Sequence, residues 1–316
     1  MKRPFWRSAV VLAAAGLAVV LVHPAAQAAP GATVHVAADT PAKARAVAAK
    51  WTPEAMRSAV PLDLPTVDPA KLSDDARKGL PRTVPGVQPA AFPSGGAPWT
   101  GGGKVVSTAG RVFFTYQGRQ ASCSGNAVNS GNKSVVITAG HCVKLDGAFH
   151  TNWVFVPGYN NGNAPYGTWT ARATMATPQW VASEDINYDV GAAVVNQLNG
   201  QSLTDVVGGQ GIAFNQARGQ AMYAFGWPAA APYDGTRMIY CSGTTFDAFL
   251  SDGIGMTCDM TGGASGGPWF LRFSESTGTG VLNSVNSYKI NFIPTWMFGP
   301  YFGTDAQNLY NTAQAA

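Results

Sequence analysis

Histidine is scarce in this 316-residue chain: His23, His35, His141 and His150 are the only four, and none lies beyond residue 150. Any chemistry in which an imidazole base follows its nucleophile in the C-terminal half is therefore excluded. Cysteine is equally sparse, at Cys123, Cys142, Cys241 and Cys258, and no pair has the close spacing of a structural zinc site, so no metal is expected. Nor is there a motif for a cofactor. Charged residues are only 12% of the chain, and residues 101–316 carry 10 Lys and Arg against 11 Asp and Glu. With no basic patch there, nucleic-acid binding has no footing. The positive surplus sits in residues 1–100, with 11 Lys and Arg against 6 Asp and Glu. No second apolar run follows the N-terminal one, and no internal repeat is evident.

What is present begins with a basic start at Lys2, Arg3 and Arg7, an apolar run from Ala9 to Val22, and Ala26-Gln27-Ala28, a small-x-small cleavage pattern. This predicts a signal peptide over residues 1–28, a secreted protein, and no membrane association after its removal. Residues 29–100 read as a propeptide and linker. Thr40 to Val60 is Ala-rich and charged with helical character, and Pro61 to Gly103 is dense in Pro and Gly. An even cysteine count in an exported chain predicts two disulfides. Of the three possible pairings, Cys123–Cys142 and Cys241–Cys258 close two short local loops.

From residue 101 to 316 short β-branched and aromatic runs alternate with Gly, Asn, Pro and Asp clusters. Arg111–Gln117, Lys133–Ala139, Asn152–Tyr159, Thr168–Met175, Val190–Val195, Ala221–Trp227, Pro268–Phe273 and Val281–Tyr288 are expected strands. Thr304 with Gln307 three residues later predicts a capping box for a short final helix. The class is all-β, a sandwich or a pair of barrels in one domain of a little over 200 residues.

The stretch TGGASGGPW, Thr261 to Trp269, packs four glycines around Ser265. Gly263-Ala264-Ser265-Gly266-Gly267 satisfies G-x-S-x-G, but the hydrolase elbow of that pattern requires a later histidine, which the chain lacks. The order histidine, aspartate, serine is fully supplied by ITAGHC with His141, YDVGAAVV with Asp189, and TGGASGGP with Ser265. Together these segments resemble those of the chymotrypsin/trypsin family of serine endopeptidases, especially its secreted bacterial branch, over roughly residues 100–316. The resemblance implies two six-stranded antiparallel β-barrels with the site between them, protein or peptide substrates, and a monomer. It implies that His141 takes the Ser265 proton, that Asp189 orients the imidazole, and that the N–H groups of Gly263 and Ser265 form the oxyanion hole. Asp185 is the alternative acid, but Asp189 is favoured because an apolar strand follows it. His150 reads as a solvated loop histidine.

Two departures matter. Ala264 stands where trypsin-like members have the aspartate that pairs with a freed N-terminus, so the oxyanion loop must be held by other contacts and the pro-segment act by occlusion or in folding. Asp259, six residues before Ser265, matches the aspartate at the base of the trypsin specificity pocket and would favour Lys or Arg at the cleaved bond. A structural aspartate beside Cys258 is the alternative. Thr261 matches the glutamate-specific relatives, but their later histidine is missing. A catalytically silent binding protein on the same fold, or an esterase with the same triad, are the competing functions.

Overall fold

The computed structural model describes residues 31–65, 67, 82–83, 93–290 and 292–316. The expected signal peptide and most of the Pro-rich linker lie outside them.

Six strands close into an antiparallel barrel in the N-terminal half of the body. They are β1 (Ala109–Tyr116), β2 (Arg119–Ala127), β3 (Val135–Thr138), β4 (Thr151–Pro157), β5 (Trp169–Ala176) and β6 (Gly191–Val195). The order around the ring is β1, β2, β3, β6, β5, β4 and back to β1, so no edge is left unpaired. β1 and β2 form a two-residue hairpin through Gln117 (φ 47°) and Gly118 (φ 79°), positive angles that match the twist of the flanking strands. Phe113, Val136, Trp153, Phe155, Met175 and Val194 are buried on one or the other face of its strands.

The C-terminal half wraps as two sheets. One runs β7 (Gly211–Phe214), β13 (Thr279–Val285), β12 (Pro268–Ser274), β8 (Ala221–Gly226) and β9 (Ile239–Thr244); the other runs β10 (Phe246–Asp247), β11 (Ile254–Thr257), β15 (Ile293–Gly299) and β14 (Tyr288–Ile290). Chymotrypsin-like architecture follows from this pairing of halves, with a helix, Thr304–Ala315, at the end. Thr304 is the first helical residue and not the cap. Gly303 takes the cap position and offers no side chain to it.

Both disulfides are formed between local partners, Cys123–Cys142 and Cys241–Cys258, with sequence separations of 19 and 17. Loops of this size contribute on the order of 3 kcal/mol each by restricting the unfolded chain. The first ties β2 to the turn that carries His141.

The segment before residue 100 is packed against the body. Thr33–Val36 adds to the outside of β5, from Thr33 opposite Ala176 to Val36 opposite Ala173. Helices Pro41–Lys50 and Pro53–Ser58 start where Thr40 and Thr52 accept the N–H groups of Lys43 and Ala55 through their hydroxyls. The buried Trp51 packs against Phe113 and donates its indole N–H to the Asn152 carbonyl at 2.7 Å. Val60–Pro61 then pairs in parallel with Ala121–Ser122 of β2. Further on, Ser94–Pro98 pairs antiparallel with β9, and Trp99 sits edge-on to Phe225, Tyr240 and Phe273. The packing thus shows no break at residue 100.

Candidate active site

His141 lies in a single 3-10 turn, Gly140–Cys142, directly after β3. A Cβ on Gly140 would stand 2.7 Å from the Trp180 ring and 2.9 Å from Asp189 Oδ1, so only glycine lets this turn approach the acid so closely. Asp189 ends a second 3-10 turn, Ile186–Tyr188, just before β6. Its carboxylate accepts from the His141 backbone N–H through Oδ1 and bonds the His141 ring at Nδ1 through Oδ2, both at 2.7 Å. Both residues are fully buried. Such a fork fixes the imidazole with Nδ1 as donor, leaving Nε2 as the basic atom. Asp185 instead caps its own turn by accepting the Asn187 N–H.

Two residues that pattern reading did not place support this pair. Ser287, between β13 and β14, donates its hydroxyl to Asp189 Oδ2 at 2.5 Å. His150 is buried and not solvated: it stacks on Phe114 at 4.3 Å and bonds the His141 carbonyl through Nε2 at 2.8 Å. Burial lowers its pKa to about 4, so the ring is neutral and must carry its proton on Nε2 to donate. Nothing in the local sequence distinguishes this histidine from an exposed one.

Ser265 lies in the turn between β11 and β12. Its carbonyl accepts the Ser124 N–H at 2.7 Å, next to Cys123. Gly266, at φ +77°, lies so close to the strand before His141 that a Cβ would meet Thr138 Oγ1 at 2.0 Å. The Ser265 hydroxyl and His141 Nε2 are both buried, and neither is hydrogen-bonded to a protein group.

The glycines around Ser265 set the direction of its peptide planes. A trans peptide points its C=O and N–H oppositely, so a carbonyl anchored inward aims the following N–H outward. The Gly262 carbonyl accepts the N–H groups of Ala229 and Ala230 at 2.7 and 3.2 Å, and the Gly263 N–H points the other way. It donates at 3.1 Å to a carbonyl of the preceding segment, that of Leu62. The Leu62 N–H in turn donates to Ser122 at 3.0 Å, and the Pro65 carbonyl accepts from Lys289 on β14 at 3.4 Å. Residues 60–65 therefore cross the site from β2 to β14.

Asp259 is exposed, and its carboxylate accepts the Tyr233 hydroxyl at 2.5 Å. Burial and this bond raise the Tyr233 pKa, so the tyrosine remains a donor. Nearby, Lys289 Nζ donates to the Cys258 carbonyl at 3.1 Å, and burial lowers its pKa to about 8. This arrangement is not that of a free carboxylate at the floor of a closed pocket. The Thr261 hydroxyl is taken by the Ala230 carbonyl at 2.6 Å.

Among the described residues, the grouping of three potential metal ligands is Cys123, His141 and Cys142. Two of these are joined as a disulfide, so the set has one available donor, too few for a metal centre.

No family model matches the chain. It is 29% identical over 175 residues to an extracellular metalloprotease of Bacillus subtilis (strain 168), spanning about half the length of that protein (53%) and 53% of its own. Among solved structures, protease Anisep from Arthrobacter nicotinovorans is 48% identical with a TM-score of 0.64, over 67% of this chain and 98% of that one. The thermostable serine protease AL20 from an extremophilic microorganism is 41% identical, also at 0.64, over 67% and 99%. A Glu endopeptidase shares the fold alone, at 16% identity and a TM-score of 0.56 over 73% and 100%. Likeness over nearly the full length of the first two, with the barrel and its paired halves, makes this chain a member of the chymotrypsin-like serine proteases, among relatives of bacterial origin.

Proposed function

We propose that the chain is the precursor of a secreted serine endopeptidase in which Ser265 is the nucleophile, His141 the general base and Asp189 the group that orients it. His141 Nε2 takes the hydroxyl proton as Ser265 Oγ attacks the peptide carbonyl. The oxyanion is received by the N–H groups of Gly263 and Ser265, and the same imidazole then protonates the departing amine. Water resolves the acyl-enzyme by the same steps in reverse. The observation that carries this reading is the buried His141–Asp189 pair, with the peptide carbonyl of Leu62 resting on the Gly263 N–H. The disulfides suit an oxidising compartment. Residues 29–100 act as the propeptide, and protein or peptide chains are the substrates.

A fluorophosphonate probe is expected to label the processed protein, and Ser265→Ala to abolish labelling. Labelling that survives the substitution would refute the assignment. An amide substrate cleaved at rates comparable with its ester identifies a peptidase; hydrolysis of the ester alone would identify an esterase, and neither would leave a binding protein. With Asp259 bonded to Tyr233, no preference for Lys or Arg is assigned.

A further inference from the structure

We infer that Asn286 is the positioning residue of the oxyanion hole, an inference that rests on Ser265 being the nucleophile. Ala264 has no carboxylate to anchor this loop, yet every polar group of Asn286 is committed to it or to its support. The fully buried side chain donates from Nδ2 to the Ala264 carbonyl at 3.0 Å and to the Phe225 carbonyl at 2.8 Å. Its Oδ1 accepts the Trp269 indole N–H at 2.7 Å, which fixes which end of the amide faces the loop. Its backbone carbonyl accepts the Gly266 N–H at 2.7 Å and its N–H donates to Gly267 at 2.8 Å. The Ala264 carbonyl belongs to the same peptide plane as the Ser265 N–H. Holding that carbonyl inward aims the Ser265 N–H, the second oxyanion donor, outward. Ala229 does the same for Gly263 through the Gly262 carbonyl. Asn286 is thus a neutral anchor that needs no free N-terminus.

Asn286→Asp keeps the volume but sets carboxylate oxygens against two carbonyls. In protein isolated from secretion of the full chain, kcat should fall about hundredfold or more with KM within about twofold, since an oxyanion donor acts on the transition state. Affinity for a peptide aldehyde, whose hemiacetal oxygen enters the hole, should fall in parallel. Trp269→Phe, which removes the bond to Oδ1 together with part of a buried indole, should lower kcat several-fold with KM unchanged, and provides the test if the aspartate variant does not fold. Parent-like kcat in either folded variant, or kcat and KM changing together, would overturn the inference. A parent lacking Ser265-dependent turnover would instead strike the function itself.

A different observation supports a second inference: the pro-segment fills the cleft in the direction opposite to a substrate. The amine leaving a cleaved bond must collect its proton from His141, whose turn is tied through Cys142 and Cys123 to β2. In the segment, the residues before Leu62 pair with β2, while Asp63 and Pro65 lead toward Gly262 and Lys289. The Leu62 carbonyl therefore rests on one of the two hole donors, the Gly263 N–H, while the Leu62–Asp63 nitrogen faces away from the imidazole. During self-processing of the full chain, no new terminus at Asp63 should arise, and Leu62→Pro, which removes the N–H given to Ser122, should speed fluorophosphonate labelling of the intact precursor. An Asp63 terminus formed by the parent and absent from Ser265→Ala, or unchanged labelling in Leu62→Pro, would overturn it.

Discussion

The two halves of the molecule hold their parts of the site by different means. In the closed N-terminal barrel, His141 is fixed by side chains: Asp189 grips both its ring and its backbone, and His150 holds its carbonyl. In the C-terminal half, the groups proposed to receive the oxyanion are main-chain N–H groups of Gly263 and Ser265, which follow the anchored carbonyls of Gly262 and Ala264. Acid–base chemistry needs a titratable ring in one tautomer, which a carboxylate supplies. An oxyanion needs fixed dipoles, which peptide planes supply once glycine lets them lie close enough. Substitutions should therefore act differently in the two halves.

The largest effect is expected from Asp189→Asn, which preserves shape but removes the preference for the Nδ1–H tautomer. Loss of kcat on the order of 10⁴-fold, with the fold intact by circular dichroism, would sharpen the contrast; a loss under tenfold would break it. Gly266→Ala attacks the main-chain half, where a Cβ would collide with Thr138 Oγ1 and the Ser124 carbonyl at 2.0 and 2.5 Å and φ is +77°. It should cost at least about 3 kcal/mol of stability in denaturant titration, from overpacking and backbone strain together. Near-parent stability would show that the loop is softer than its contacts suggest.

His150 gives a pH signature to the side-chain half. Its folded pKa, about 4, lies below the ordinary 6.5, so the unfolded chain binds the proton first. Its stabilisation is complete above pH 6.5, declines as pH falls toward 4, and levels off below, a loss of up to about 3 kcal/mol. Replacing His150 with Gln should flatten that part of the stability profile; an unchanged slope would assign it to other groups. The smallest effect is expected from Ser287→Ala. This hydroxyl from the C-terminal half supports Asp189 across the cleft, and its loss should lower kcat several-fold, about 1 kcal/mol.

All eight strands expected from β-branched and aromatic runs are present, because burial on a pleated surface selects those residues. Arg119–Ala127 was not legible: RQASCSGNA has little strand character and is held by pairing on both sides. His141, Asp189 and Ser265 stood out through the residues around them. Asn286 and Ser287 did not, since their roles arise from partners 22 and 98 residues away and leave no local pattern. The pairing of Asp259 with Tyr233 was hidden for the same reason, as Tyr233 lies 26 residues before it.

The crossing of residues 60–65 has a consequence for timing. While covalently attached, the segment meets the cleft at the effective concentration of an intramolecular ligand, on the order of millimolar. One cut between residues 67 and 93 would turn it into a diffusible ligand, held only by its own affinity. Release would then follow dilution into the surroundings, so the same nicked molecule would stay silent where it is crowded and become active where it disperses.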